Sequence, residues 1–229
     1  MNVHHQNLSV VRTADGSDTI VFEGTKVSYH SMLGALKESR QVFVKNGLHF
    51  SMLRQAAIPL RIFEMGFGTG LNTLLTAMEA ARTRRAIDYT VVEIAPLQPA
   101  IATSLNYGGL LGQESLYKAI HESAWEEPVA LSPNFTILKL RDDFLKLTDA
   151  DLSEPYNLVY WDAFAPEDQP ELWTEETFQR IADIMHPGGV LVTYCSKTTV
   201  RRALEAAGFT VEKLEGPPGK RDVVRAVLA

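Results

Sequence analysis

The sequence predicts an α/β fold of Rossmann-like type, with a seven-stranded, mainly parallel sheet and a small N-terminal β-meander and helix ahead of it. Three observations predict it. From Leu60 onward, short apolar runs alternate with longer amphipathic segments, the pattern of βαβ units. The first of those runs passes through Gly66-Phe67-Gly68-Thr69-Gly70 straight into a strong helical segment. Ahead of Leu60, β-branched runs are broken at Asp15-Gly16 and Glu23-Gly24, which reads as two successive hairpin turns.

Taken in order, Ser9 to Ser28 forms the meander, and Ser31 to Lys45 reads as a helix because Met32, Leu36 and Phe43 interleave with Lys37, Glu38 and Arg40. Val42 and Val44 weaken that reading. Strands follow at about Arg61 to Met65, Asp88 to Glu93, Phe135 to Leu140, Tyr156 to Trp161, Gly189 to Cys195, Thr210 to Leu214 and Asp222 to Leu228. The clearest helices are Leu71 to Arg84, Pro96 to Asn106, Thr174 to Met185 and Thr198 to Ala207, the last stopped by Gly208. The expected organisation is one structural domain, with residues 1–58 as an extension packed on a core of residues 59–229.

A chain of 229 residues, 45% hydrophobic and 22% charged, is long enough to bury its own core and too apolar to remain disordered. The lone cysteine, Cys195, excludes an intramolecular disulfide, and the opening MNVHHQNLSV lacks the basic and apolar regions of a signal peptide. A cytoplasmic protein is expected, with no membrane partner, because no apolar stretch approaches the ~20 residues of a membrane span. A net charge of −6 argues against nonspecific attraction to nucleic acid while leaving room for a local basic patch. No metal site is expected, since the adjacent His4 and His5 stand at a chain terminus.

The glycine-rich junction carries the chemistry. Glycines let the loop turn tightly and let a ligand lie on bare backbone, while the following helix offers unpaired N–H groups. A dinucleotide site would show G-x-G-x-x-G. Here the spacing is G-x-G-x-G, led by Glu64, and that string resembles the S-adenosyl-L-methionine (SAM) motif of class I methyltransferases, where the leading acid sits near the amino acid portion of the cofactor. Glu93 ends the second strand about 25 residues on, where a carboxylate accepts both ribose hydroxyl hydrogens. Asp142-Asp143 follows the third strand, and the same resemblance assigns the adenine amino group to Asp143. Asp162, at the end of the fourth strand, stands where methyl transfer would occur, although an Asp there also serves as a turn cap.

Longer motifs extend the likeness. Glu38-Ser39-Arg40-Gln41-Val42-Phe43, Gly66-Phe67-Gly68-Thr69-Gly70-Leu71-Asn72, Asp162-Ala163-Phe164-Ala165-Pro166 with Trp173-Thr174, and His186-Pro187-Gly188-Gly189 recur with Val200-Arg201-Arg202-Ala203-Leu204 and Gly219-Lys220-Arg221. Together they resemble the tRNA 5-(aminomethyl)-2-thiouridine methyltransferases, which occur alone (MnmD) or as the amino-terminal part of bifunctional MnmC. The resemblance covers nearly all of the chain from about residue 7, except Tyr107 to Pro133. It implies SAM-dependent methylation of the exocyclic amine of 5-aminomethyl-(2-thio)uridine at the tRNA wobble position. With 229 residues there is no room for a flavin oxidase domain, so the stand-alone form is expected.

In-line transfer from a sulfonium needs proximity and alignment more than a metal. The incoming alkylamine, with a reference pKa of ~10, must lose a proton to attack, and Asp162, helped by a backbone carbonyl of Ala163 or Phe164, would orient its lone pair. The SAM site is expected from Glu64, Gly66, Phe67, Gly68, Thr69, Gly70, Asn72, Glu93, Asp143 and Asp162. Phe164, Pro166 and Trp173 are candidates for the base, and Arg201, Arg202, Lys220 and Arg221 for tRNA phosphates near the anticodon. Two other readings remain open: an aminopropyltransferase of the spermidine synthase type or another small-amine methyltransferase, and a silent module that binds RNA or protein.

Overall fold

The structure, a computed structural model, describes residues 7–55, 59–148, 151–152, 155–217, 219 and 221–229. Strands β1 (Leu8–Arg12) and β2 (Asp18–Phe22) pair antiparallel, with Leu8 opposite Phe22 and Arg12 opposite Asp18. Their turn is held by Asp15, which accepts from the Ser17 N–H at 3.0 Å and the Thr13 hydroxyl at 2.9 Å. The second expected hairpin, at Glu23-Gly24, shrinks to a single bridge between Val21 and Ser28.

The helix expected over Ser31 to Lys45 begins later and runs further. It comprises α1 (Ala35–Ser39), a π-helical stretch Arg40–His49 and α2 (Phe50–Arg54). Val42 and Val44, whose β-branching argues against a helix, are buried there with Phe43 and Leu48. Packing on the sheet overrides propensity at these positions. Gly47 marks the closest approach, since a Cβ there would lie 2.8 Å from Val192 and 3.3 Å from Tyr160.

The remaining elements alternate: β3 (Leu60–Met65), α3 (Leu71–Thr83), β4 (Ile87–Val92), α4 (Pro99–Ser104), α5 (Tyr107–Leu111), α6 (Glu114–Glu122), β5 (Pro128–Ser132) and β6 (Phe135–Leu140). Then come β7 (Tyr156–Trp161), α7 (Glu175–Asp183), β8 (Met185–Thr193), α8 (Thr198–Ala206), β9 (Phe209–Glu215) and β10 (Asp222–Leu228). The strand order is β5-β6-β4-β3-β7-β8-β10-β9. Strands β6, β4, β3, β7 and β8 are parallel, whereas β5 runs antiparallel to β6 and β10 to both its neighbours.

All seven expected strands are present, with β8 starting four residues before Gly189. The eighth, β5, has no counterpart among the expected strands. It lies with α5 and α6 in the stretch from Tyr107 to Pro133 that no motif covers. Alternation along the strands divides the core into two layers. Leu158 and Tyr160 join Leu74, Phe43 and Leu48 on one face, while Val159 and Trp161 join Phe178, Ile181 and Leu204 on the other. The domain boundary expected at residue 58 lies outside the described residues.

Since β3 pairs with β4 on one side and β7 on the other, chain order reverses there and a crevice opens beyond the strands' carboxyl ends. The register sets Met65 beside Trp161, so the glycine loop and Asp162 emerge side by side.

Candidate active site

The loop after β3 needs its glycines for two reasons. Gly66, Gly68 and Gly70 take φ of +88°, +49° and +71°, and a Cβ on the first two would lie 3.3 Å from the Asp162 carbonyl and 3.1 Å from the Tyr29 ring. The Gly68 N–H donates to Glu93 at 3.0 Å, and the Ala95 N–H donates to the other oxygen at 2.8 Å. Burial raises the Glu93 carboxyl above its ordinary range, while these N–H donors pull it back. Glu93 stands on the cleft wall, where its carboxylate can share its oxygens with hydroxyls in the cleft.

Thr69 is fixed from both ends. Its hydroxyl lies 2.7 Å from His30 Nε2, and its carbonyl accepts from Tyr117 at 2.8 Å and His121 Nε2 at 3.2 Å. Burial pushes the His121 imidazole down to about 4, so near neutral pH it is uncharged and donates through Nε2. Beneath Phe67, the buried Lys139 ammonium donates to the last-turn carbonyls of Ile120 and His121 at 3.0 and 3.1 Å and caps α6. Burial lowers that ammonium to about 8.

A cleft of about 470 Å³ opens above the loop, within the range of small-molecule sites. The core contributes Gly66 to Thr69, Asn72, Glu93 and Asp162 to Ala165, and the N-terminal segment contributes Lys26 to Ser31 and Glu38. Tyr29 meets the edge of Phe164 at 5.2 Å and stacks on Phe22 at 5.8 Å, closing one side with aromatic rings. Burial, then the Glu93 charge, holds the Tyr29 phenol well above its usual range.

The segment carrying Asp162 is pinned at three points. Phe164 donates its N–H to Gln169 at 3.0 Å and accepts from Trp173 Nε1 at 2.8 Å, and the Ala163 carbonyl accepts from the Tyr194 hydroxyl at 2.8 Å. Asp162 accepts from Asn72 Nδ2 at 2.8 Å. The same nitrogen donates to Glu64 at 2.9 Å, and Glu64 also accepts from Tyr89 at 2.7 Å and Thr73 at 3.2 Å.

Of the residues singled out by sequence, Gly66, Phe67, Gly68, Thr69, Asn72, Glu93, Asp162 and Phe164 line the cleft. Several others stand elsewhere. Glu64 lies fully buried beneath the loop and Gly70 begins α3. Asp143 is not on the cleft wall. It accepts from the Leu145 N–H at 3.0 Å and lies 3.6 Å from the Lys146 ammonium, so its carboxylate serves the turn after β6. Pro166 is also off the wall. Trp173 is 6% exposed, packed against Phe178 and Tyr194, and acts as a strut for Phe164. Arg201 turns back onto the Ser196 carbonyl and the Thr198 hydroxyl, whereas Arg202 and Arg221 are exposed. Lys220 lies outside the described residues.

Sequence reasoning missed Tyr29, His30, Glu38, Asp168, Gln169 and Tyr194, all on the cleft wall. Glu38 opens the Glu38-Ser39-Arg40 motif and Gln169 follows the Asp162 segment, so both carried a signal. Tyr29 and His30 carried none. Among the described residues there is no group of three metal-ligating side chains, and no helix is long and apolar enough to cross a membrane.

A family model described as S-adenosyl-L-methionine-dependent methyltransferase matches residues 126–229. The tRNA 5-methylaminomethyl-2-thiouridine biosynthesis bifunctional protein MnmC of Burkholderia pseudomallei (strain K96243) is 33% identical, over 89% of this chain and 34% of its own length. The chain thus spans about a third of the length of the curated relatives it matches. Among solved structures, MNMC2 from Aquifex aeolicus matches with TM-score 0.76 at 24% identity, covering 99% of this chain and 72% of that one. Spermidine synthase from Thermotoga maritima matches with TM-score 0.54 at 12% identity, covering 100% of this chain and 72% of that one. At such identities the structural matches establish the fold. The chain thus has the fold of the class I S-adenosyl-L-methionine-dependent methyltransferases, is similar to that family over residues 126–229, and is similar over most of its length to about a third of the MnmC proteins.

Proposed function

We propose that this protein methylates the exocyclic amine of 5-aminomethyl-(2-thio)uridine at the wobble position of tRNA, in the cytoplasm, giving 5-methylaminomethyl-(2-thio)uridine. The observation that carries the reading is Asp162, a carboxylate held at the cleft wall beside the glycine loop, in a chain homologous to MnmC proteins.

The residues present suit SAM. Backbone that a Cβ would obstruct lies open at Gly66 and Gly68, and Glu93 offers acceptors for a ribose diol. Phe67 and Thr69 complete that wall. When bound, SAM supplies an electrophilic methyl group with a good leaving group. The protein's own task is to present an uncharged amine in line with it.

Asp162 accepts hydrogen bonds from the amine and directs its lone pair. The carbonyls of Ala163 and Phe164 accept from Tyr194 and Trp173, and the Asp162 carboxylate, with more acceptor sites and a negative charge, is the stronger acceptor for the amine. With a reference pKa of ~4 a carboxylate is a weak base, so it orients the amine and the proton leaves to water. Phe164 and Tyr29 provide the apolar wall against which a uracil ring fits. Exposed Lys26, Arg202 and Arg221 take phosphates of the anticodon arm.

The test is methyl transfer from labelled SAM to tRNA carrying 5-aminomethyluridine at the wobble position, with unmodified tRNA as control. The expected result is label in the aminomethylated tRNA alone, and a loss of at least 100-fold in Asp162→Ala. A wild-type protein that binds SAM yet leaves this tRNA unlabelled would overturn the substrate assignment and make small amines the next candidates.

A further inference from the structure

Asn72, in the first turn of α3, stands between carboxylates from two different strands. Its Nδ2 lies 2.9 Å from Glu64 Oε1 at the end of β3 and 2.8 Å from Asp162 Oδ2 just past β7. The amide nitrogen carries two hydrogens, and each points at one acid: Glu64 Oε1 accepts whether that residue is ionised or carries its proton on the other oxygen, and Asp162 Oδ2 accepts as a carboxylate. That pairing fixes which end of the amide faces inward. It also leaves Asn72 Oδ1 buried with no hydrogen-bond partner, in a side chain only 3% exposed. An orphaned buried acceptor is unfavourable, because its desolvation is not offset by a hydrogen bond. The arrangement forgoes a bond at the oxygen to keep both hydrogens on the acids.

Glu64 cannot follow a moving Asn72, because Tyr89 and Thr73 hold its other oxygen. Titratable side chains around this end of the sheet include Glu64 on β3, Glu38 on α1, Asp168, and Tyr194 and Cys195 after β8, all of them acids. A hydrogen-bond donor on Asp162 favours its ionised form.

We propose that Asn72 is the positioning residue for Asp162. Anchored on Glu64, it holds Asp162 Oδ2, sets the plane of the carboxylate for the incoming amine and keeps that carboxylate ionised as an acceptor. The proposal rests on the reading of Asp162 given above, and it assigns Asn72 a role separate from holding the cofactor.

The experiment compares wild type, Asn72→Leu, Asp162→Ala and the double variant, with the smaller, neutral Asn72→Ala as a substitute should the leucine variant fail to fold. In Asn72→Leu, kcat for methyl transfer is expected to fall 10- to 100-fold while the Kd for SAM changes less than threefold. Adding Asn72→Leu to Asp162→Ala is expected to lower the rate no further, because one residue acts through the other. Carboxyl carbon NMR gives a readout free of any substrate: the Asp162 midpoint is expected to rise by about a unit in Asn72→Leu. An unmoved midpoint, additive losses, or SAM affinity lost in step with kcat would each overturn the proposal. Inactivity of the wild type on the modified tRNA would instead overturn the substrate reading, and the NMR titration would still decide the role of Asn72.

Discussion

Two side chains near the reacting centre bear on rate and stability in separable ways. Tyr194 touches the Asp162 segment through one hydrogen bond to the Ala163 carbonyl. Removing it in Tyr194→Phe costs about 1 kcal/mol of stability and loosens the backbone that aims Asp162. Single-turnover methyl transfer is expected to slow about 5- to 30-fold. Glu64 acts through pH. Burial pushes its carboxyl up to about 7, against hydrogen bonds from Tyr89, Asn72 and Thr73 that pull it down. The folded chain therefore holds this proton more tightly than the unfolded chain does. The stabilisation is complete below about 4.5 and is lost as pH rises through about 7. Glu64→Gln stays neutral throughout, so the difference in unfolding free energy between variant and wild type is expected to grow in the variant's favour between pH 5 and 8. The gain is on the order of 1–3 kcal/mol, measured by urea denaturation. At this scale the glycines, Glu93 and Asp162 were legible because strand ends and loop spacing fix them locally. Tyr29, His30 and Tyr194 were not, because they reach the cleft through tertiary packing that no local pattern encodes.

Elements were legible where burial imposes a period. The strands β3, β4, β6 and β7 read correctly because four or five of six positions in each are apolar or aromatic, and the amphipathic α7 and α8 because one face is apolar. The stretch containing α5, α6 and β5 failed. Its helices are five and nine residues long, and β5 is an edge strand with an exposed proline at its start, so none repeats its pattern long enough to register. Asp143 shows a different ambiguity: an acid after a strand serves equally as a turn acceptor, and here it accepts from the Leu145 N–H. The π-helical stretch Arg40–His49 reads in sequence as an ordinary helix and gives the sharpest test at this scale. An alanine at Gly47 would gain up to ~1 kcal/mol of helix propensity. Its methyl group would sit 2.8 Å from Val192 and 3.3 Å from Tyr160, both in the central sheet and unable to yield easily. Overpacking of this kind costs about 1–3 kcal/mol, so it outweighs propensity. Gly47→Ala is expected to lower the urea midpoint, corresponding to a net loss of roughly 1 kcal/mol.

At the scale of the molecule, a net charge of −6 must be reconciled with the polyanionic substrate proposed above. The fold offers a way, because three exposed cations reach the end of the sheet where the cleft opens. Lys26 lines the mouth. Arg202 lies midway along α8, which starts beyond the carboxyl end of β8. Arg221 precedes β10, whose Val224 pairs with Thr193 at that same end. Arg202 is the fifth of nine residues of α8 and is exposed. Its neighbour Arg201 differs, being bonded to Ser196 and Thr198 within the chain. Each cation that neutralises a phosphate releases counterions, and the slope of log K against log salt falls by about 0.7–0.9 for each phosphate left without its cation. Binding of tRNA is therefore expected to weaken steeply with salt despite the acidic total. Arg202→Gln and Arg221→Gln should each flatten that slope by about one, and Arg201→Gln by much less. Filter binding across a salt series reads all three. Equal slopes for the Arg202 variant and wild type would mean that the tRNA approaches from another side of the cleft. The N-terminal segment bearing Lys26 and Tyr29 would then be the next surface to test, since it forms the other wall.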